Sequence, residues 1–79
     1  MQLVTEVLGA VARALVDRPT AVRVRERHAG HESVLELDVH PGDRGRIIGR
    51  GGETIRAIRR LLTALARKRG QRCRVEVAE

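Results

Sequence analysis

The sequence predicts an α+β fold in the order α-β-β-α-α-β, a mixed three-stranded sheet with three helices on one face. Two long stretches place apolar residues at helical spacing, and three short ones alternate apolar with charged residues. A glycine-rich corner separates a short helix from a long one.

Residues 3–16 form the first helix, with Leu3, Val4, Val7, Leu8, Val11 and Leu15 at its spacing and Glu6, Arg13 and Asp17 elsewhere. Pro19 is expected to close it, because the residue before a proline avoids the helical region. Residues 21–27 alternate, Val22 and Val24 against Arg23, Arg25 and Arg27, which predicts a half-buried strand. His28-Ala29-Gly30-His31 reads as a turn. Residues 33–39 alternate again, with Leu35, Leu37 and Val39 inward and Glu36 and Asp38 outward, so the two strands form a hairpin.

Pro41-Gly42-Asp43 breaks the second strand, and Asp43 is placed to cap a short helix over residues 44–48. A longer helix over residues 53–69 carries Ile55, Ile58, Leu62 and Leu65 as a buried stripe, and Gly70 ends it. Residues 72–78 form the last strand, Cys73, Val75 and Val77 alternating with Arg72, Arg74 and Glu76. A right-handed two-helix crossover makes the second and third strands parallel, whereas the hairpin pair is antiparallel. The outer sheet face then holds Arg23, Arg25, Glu36, Asp38, Arg74 and Glu76, a solvated mixture of signs whose ion pairs are each worth little. No linker, repeat or low-complexity tract interrupts residues 1–79, which read as one domain.

The formal charge is +6, and fifteen of the sixteen basic residues are arginine, Lys68 being the exception. Such a balance favours a polyanionic partner, because each basic group near a phosphate releases counterions. Phe, Tyr and Trp are absent. Base stacking on aromatic rings, the device of many single-strand binders, is therefore excluded. Base contacts fall to aliphatic surface, backbone groups and arginine planes, and the core to Val, Leu, Ile and Ala. A single cysteine excludes an internal disulfide framework, and no apolar run approaches about 18 residues. The expected setting is the cytoplasm, with no membrane contact.

Function concentrates in Arg46-Ile47-Ile48-Gly49-Arg50-Gly51-Gly52-Glu53-Thr54-Ile55. Two helices meet here with almost no connector, and glycine at 49 and 52 permits the backbone geometry of such a corner. It also clears side chains from the path of a nucleic-acid backbone. N–H groups at the start of the second helix favour an anion, and Arg50 at the tip adds a mobile charge for a phosphate.

These residues resemble the KH signature: an aliphatic pair, then G-x-x-G, then x-x-I. The preceding α-β element matches the type II version of the fold, and the whole chain is similar to the small stand-alone bacterial KH proteins of the KhpA (YlqC) family. The resemblance implies a groove for about four unpaired nucleotides. One wall is the loop with its flanking helices; the other is the second strand and a variable loop, here residues 28–32. Gly49, Arg50, Gly51 and Gly52 would clamp the sugar-phosphate backbone. Ile48 and Ile55 either support the groove floor or belong wholly to the core. With no side chain on Gly51, the tip holds a single charge.

Arg44 and Arg46 precede the loop and are candidates to extend the phosphate track, as is Arg56 one turn beyond it. Arg59, Arg60 and Arg67 read as solvating surface, and Glu53 as an acid in the first helical turn aimed away from the groove. Ala57, Leu61 and Ala64 form a second apolar strip, either needed inside the small core or exposed for helix-to-helix dimerisation. His28, His31, His40 and Cys73 lack metal-ligand spacing, and no nucleophile-base-acid set or carboxylate pair is apparent. The loop is not a Walker P-loop, lacking its Lys-Ser/Thr pair. No cofactor, metal, small-molecule substrate or catalysis is expected.

The expected function is non-catalytic binding of single-stranded RNA. The resemblance adds a role as RNA chaperone or post-transcriptional regulator touching cell division, cell shape or cell-wall growth, and pairing with itself or with a larger KH-containing protein. The alternatives are a subunit whose task is to complete such a heteromeric complex, and a ribosome-associated assembly factor.

Overall fold

Every four residues along the first helix an apolar side chain points the same way, and Val4, Leu8 and Ala12 are all fully buried. In the computed structural model, which describes residues 1–79, this helix (α1) spans Gln2–Leu15. It ends before Pro19 acts on it. Val16 is already extended (φ −95°, ψ 160°), which keeps its side chain in the core, while its N–H still reaches Ala12 O at 3.1 Å. Pro19 instead opens a 3₁₀ turn over Pro19–Ala21, where its fixed φ is an asset.

Strands β1 (Arg23–Ala29) and β2 (Glu32–Asp38) pair antiparallel, with Ala29 opposite Glu32. The turn is therefore only Gly30-His31, shorter than the four residues expected. Gly30 takes φ 67° and His31 a negative φ, the order of a type II′ hairpin turn. β1 is more exposed than a half-buried strand. It is an edge strand, and beyond half-buried Val24 its inward positions fall to Glu26 and His28. Val22, just before it, is buried.

A second 3₁₀ turn, Pro41–Asp43, leads into α2 (Arg44–Ile48). Asp43 occupies the N-cap position without capping through its side chain. Its fully buried carboxylate instead accepts from the backbone N–H of Arg18 at 3.1 Å and lies 3.5 Å from the Arg18 guanidinium.

Helix α3 (Glu53–Lys68) buries Ile55, Ile58, Leu62 and Ala66. Leu65, expected in that stripe, is only half-buried. The inward line turns toward Ala66 because the chain reverses over it: Gln71 N–H donates to Ala66 O and Gly70 N–H to Arg67 O, with Gly70 at φ 70°. This is a Schellman stop. Strand β3 (Cys73–Val77) then runs parallel to β2, giving the order β1-β2-β3 with β2 central. The α-β-β-α-α-β order and the mixed sheet are as the sequence predicts.

The core between sheet and helices holds fifteen residues, all Val, Leu, Ile or Ala except Cys73. Burial pushes the Cys73 thiol above its ordinary pKa, helped by the negative charge of Glu32. On the other sheet face the expected ion pairs form: Arg27–Glu76 at 3.0 Å, Arg74–Glu76 at 3.3 Å, Arg74–Glu32 at 3.5 Å and Arg25–Glu36 at 4.0 Å. That face is not simply solvated, however. Val34, paired across to Arg27 on one side and Arg74 on the other, is fully buried outside the main core. Its flanking positions are both arginines, whose aliphatic stems can cover an apolar neighbour while their charged heads stay in water.

Candidate nucleic-acid interface

The loop between α2 and α3 is built by glycine conformations no other residue adopts cheaply. Gly49 leaves α2 at φ 76°, ψ 173°, and Arg50–Gly52 makes one 3₁₀ turn in which Gly51 (φ 59°) and Gly52 (φ 79°) are left-handed. Positive φ at Gly51 adds to the two positions expected from the sequence. Gly49 also has no room for a side chain: a Cβ there would lie 2.7 Å from Thr54 Cβ and 2.9 Å from Thr54 N. Thr54 is thus the wall against which the corner closes. Gly51 faces open space, and Arg50 is exposed at the tip.

Arg56 folds back onto the loop and donates from Nη1 to Gly51 O at 2.8 Å. It braces the left-handed turn while leaving the rest of its guanidinium exposed. The two isoleucines before the loop divide their work. Ile47 is fully buried, whereas Ile48 is 37% exposed beside a depression of about 390 Å³. That depression is lined by Arg44, Ile48, Ile55, Arg59 and the Val77-Ala78-Glu79 end of the third strand, with Ile55 at its floor, 5% exposed.

The depression beside the loop is bordered by a different strand from the one expected as a groove wall. β2 is the central strand, and the strand that borders the depression beside α2 and α3 is the edge strand β3. Residues 28–32 lie at the other end of the molecule, where His28, Gly30 and His31 line a separate hollow with Gly70, Gln71 and Arg72. The topology held the signal: β2 spends one edge on β1, so the parallel partner must take the other and become an outer strand. Arg59, Val77 and Ala78 line this depression and were not among the candidates the sequence singled out.

Of the flanking arginines, Arg44 lines the groove, and its Nε is buried without a hydrogen-bond partner. Arg46 points elsewhere, with Nη2 3.1 Å from Asp17 Oδ2. Ala57, Leu61 and Ala64 all lie exposed, Leu61 at 50%. The strip is therefore not needed inside. No group of three or more His, Cys, Asp or Glu side chains is arranged to hold a metal, and no helix is long and apolar enough to cross a membrane.

Residues 5–77 match the model of the KhpA/KhpB KH domain. The chain is 47% identical over 73 residues to the RNA-binding protein KhpA of Caldanaerobacter subterraneus, covering 91% of this chain and 96% of the relative. To its namesakes in Leifsonia xyli and Halalkalibacterium halodurans it is 46% and 44% identical, over 91% and 87% of this chain and 92% and 91% of theirs. Among solved structures, Era of Aquifex aeolicus superposes on 95% of this chain with a TM-score of 0.65. That match is 21% identical, spans only 29% of the Era chain, and speaks to the fold alone. With an α-β element before the β-α-α-β unit and the G-x-x-G corner inside it, the chain belongs to the KhpA/KhpB family of KH domains, in the type II arrangement.

Proposed function

We propose that this chain, acting as a single KH domain, binds single-stranded RNA without catalysis, in the groove between the α2–α3 corner and the end of β3. The observation that carries this reading is the pairing of an open glycine corner with an aliphatic-floored depression. Gly49 to Gly52 bring backbone close to a sugar-phosphate chain, and Arg50 supplies an unpaired charge. Ile48 and Ile55 offer apolar surface to the bases, with Arg44 and Arg59 at the rim. The relatives' name, RNA-binding protein, agrees. A G-x-x-G loop of the KH kind clamps about four nucleotides of a single strand. Without aromatic platforms and with one charge at the tip, the grip is loose and weakly sequence-selective, which suits an RNA chaperone or post-transcriptional regulator.

The test compares labelled single-stranded RNA, single-stranded DNA and duplex RNA on wild type and on Arg50→Asp/Gly51→Asp. Asp tolerates the left-handed conformation better than most residues, and space is open at 51. Affinity for single-stranded RNA should fall at least about tenfold while the circular dichroism spectrum is kept. A folded variant that binds undiminished removes the loop from the mechanism.

A second reading has its own observation. Exposed Ala57, Leu61 and Ala64 lie at helical spacing on α3, a surface suited to pairing with a second copy or a larger KH-containing protein. Leu61→Asp should abolish self-association in light scattering and leave RNA binding by the monomer in place. A wild type that stays monomeric at high concentration restricts this surface to a different partner.

A further inference from the structure

The arginines of this chain fall into two groups. Arg18, Arg25, Arg27, Arg46 and Arg74 each lie within 4.0 Å of a carboxylate. Those on α3 do not. The acid in the first turn of that helix is Glu53, at the loop end, and from Arg56 to Lys68 there is no other. Arg60 and Arg67 stand two turns apart on one exposed face with no hydrogen bond or ion pair, and Thr63 lies between them. Their charge is uncancelled, so the outer surface of α3 holds a row of positive potential.

The surface relief follows the same line. Arg59 lines the groove and also the next depression, about 330 Å³, which it shares with Arg60, Thr63, Ala64 and Arg67. Thr63 and Arg67 in turn border a third hollow of about 460 Å³ that reaches Arg72. Arg59 donates Nε to Val75 O at 3.1 Å, which anchors its stem against β3 and leaves its terminal nitrogens for a ligand. Glu32 is the one acid in the third hollow, and it faces Arg74 at 3.5 Å.

We propose that the outer face of α3 is a second RNA track: a single strand longer than about four nucleotides leaves the groove past Arg59 and is held through its phosphates by Arg60 and Arg67. This rests on the groove reading above and extends it. From Arg59 to Arg67 is about 12 Å along the helix, the span of about three to four stacked nucleotides. A polyphosphate fits better than an apolar or mixed protein surface, because the trough is lined by guanidinium groups, a hydroxyl and one alanine. The track reads no bases. It makes affinity grow with RNA length, which compensates for the single charge at the loop tip.

The experiment measures fluorescence anisotropy with randomised single-stranded RNA pools of 5 and 12 nucleotides, on wild type, Arg60→Gln/Arg67→Gln and Gly51→Asp. Wild type should bind the longer pool more tightly and with a steeper salt dependence. Arg60→Gln/Arg67→Gln should weaken the 12-nucleotide pool on the order of tenfold, flatten its log–log salt slope by about 1.4, and leave the 5-nucleotide pool unchanged. Gly51→Asp should weaken both pools. If the double variant loses neither pool, or both equally, the track is wrong and the groove stands. If wild type binds neither pool, groove and track fall together. Poly-glutamate binding wild type as tightly as the 12-nucleotide pool also overturns the proposal, because the row is then a surface for any polyanion.

Discussion

Arg18 and Asp43, 25 residues apart, are joined twice: the Arg18 backbone N–H donates to Asp43 Oδ2 at 3.1 Å, and its guanidinium lies 3.5 Å from Oδ1. This ties the segment between α1 and β1 to the start of α2, and so helps set where the G-x-x-G corner sits over the sheet. The carboxylate is fully buried while the Arg18 side chain is half-exposed, so the two partners are not equivalent.

Asp43→Ala leaves the Arg18 N–H without its acceptor and opens a polar void, with an expected loss of about 2 kcal/mol in urea unfolding. Arg18→Ala keeps the backbone bond and should cost less, about 1 kcal/mol. A loss below about 0.5 kcal/mol for Asp43→Ala would show that the tether is not needed for the fold.

At Gly49 two penalties coincide: positive φ and a Cβ pressed against Thr54. Gly49→Ala should cost about 2–4 kcal/mol. Gly51→Ala meets only the conformational penalty, since nothing lies within 4 Å of the added carbon, and should cost about 1 kcal/mol. Trimming Thr54 to Ala removes the nearest contact, Thr54 Oγ1, but leaves the clash with Thr54 Cβ and N and so rescues Gly49→Ala only in part. Equal thermal shifts for the two glycine variants would show that the loop relaxes away from Thr54.

The contrast explains how much of this molecule its sequence displays. Periodicity marks α1, α3 and the three strands because those elements bury one face against one layer. G-x-x-G between helices is legible because its backbone demands are local. What is not legible depends on partners distant in sequence. Asp43 reads as a cap until Arg18, 25 residues away, claims its carboxylate. Val34 stands out in no strand pattern, and its burial depends on Arg27 and Arg74, which flank it from two other strands. Leu65 and Ala66 are both apolar and adjacent, and only the reversal at Gly70 decides which one turns inward. The strand beside the loop is a matter of topology: strand adjacency, not strand pattern, puts β3 rather than β2 beside Ile48 and Ile55.

Neighbouring Ile47 and Ile48 should separate folding from binding. Ile47→Ala empties a fully buried site and is expected to cost about 2–4 kcal/mol. Ile48→Ala, at a side chain 37% exposed, should cost under about 1 kcal/mol yet weaken short single-stranded RNA several-fold, through apolar area lost from the groove. Stability from denaturant titration and affinity for a 5-nucleotide pool would thus move in opposite order. An Ile48→Ala protein with full affinity would take the depression beside β3 out of the binding site.

Cys73 makes alkaline pH a probe of the core. Its Sγ–H points to Leu62 O at 3.6 Å, and burial, then Glu32, raise its pKa above the ordinary 9.0. The folded chain holds the thiol proton more tightly than the unfolded chain does. Below about pH 9.0 the neutral thiol prevails in both states and its contribution to stability is intact. As pH rises further the unfolded state ionises first, and that contribution is lost through the folded pKa. Cys73→Ala lacks this dependence, so the stability gap between wild type and variant should narrow between pH 7 and pH 10. A gap that stays constant across that range would mean that the thiol ionises as readily folded as unfolded, and that the floor under Leu62 admits water.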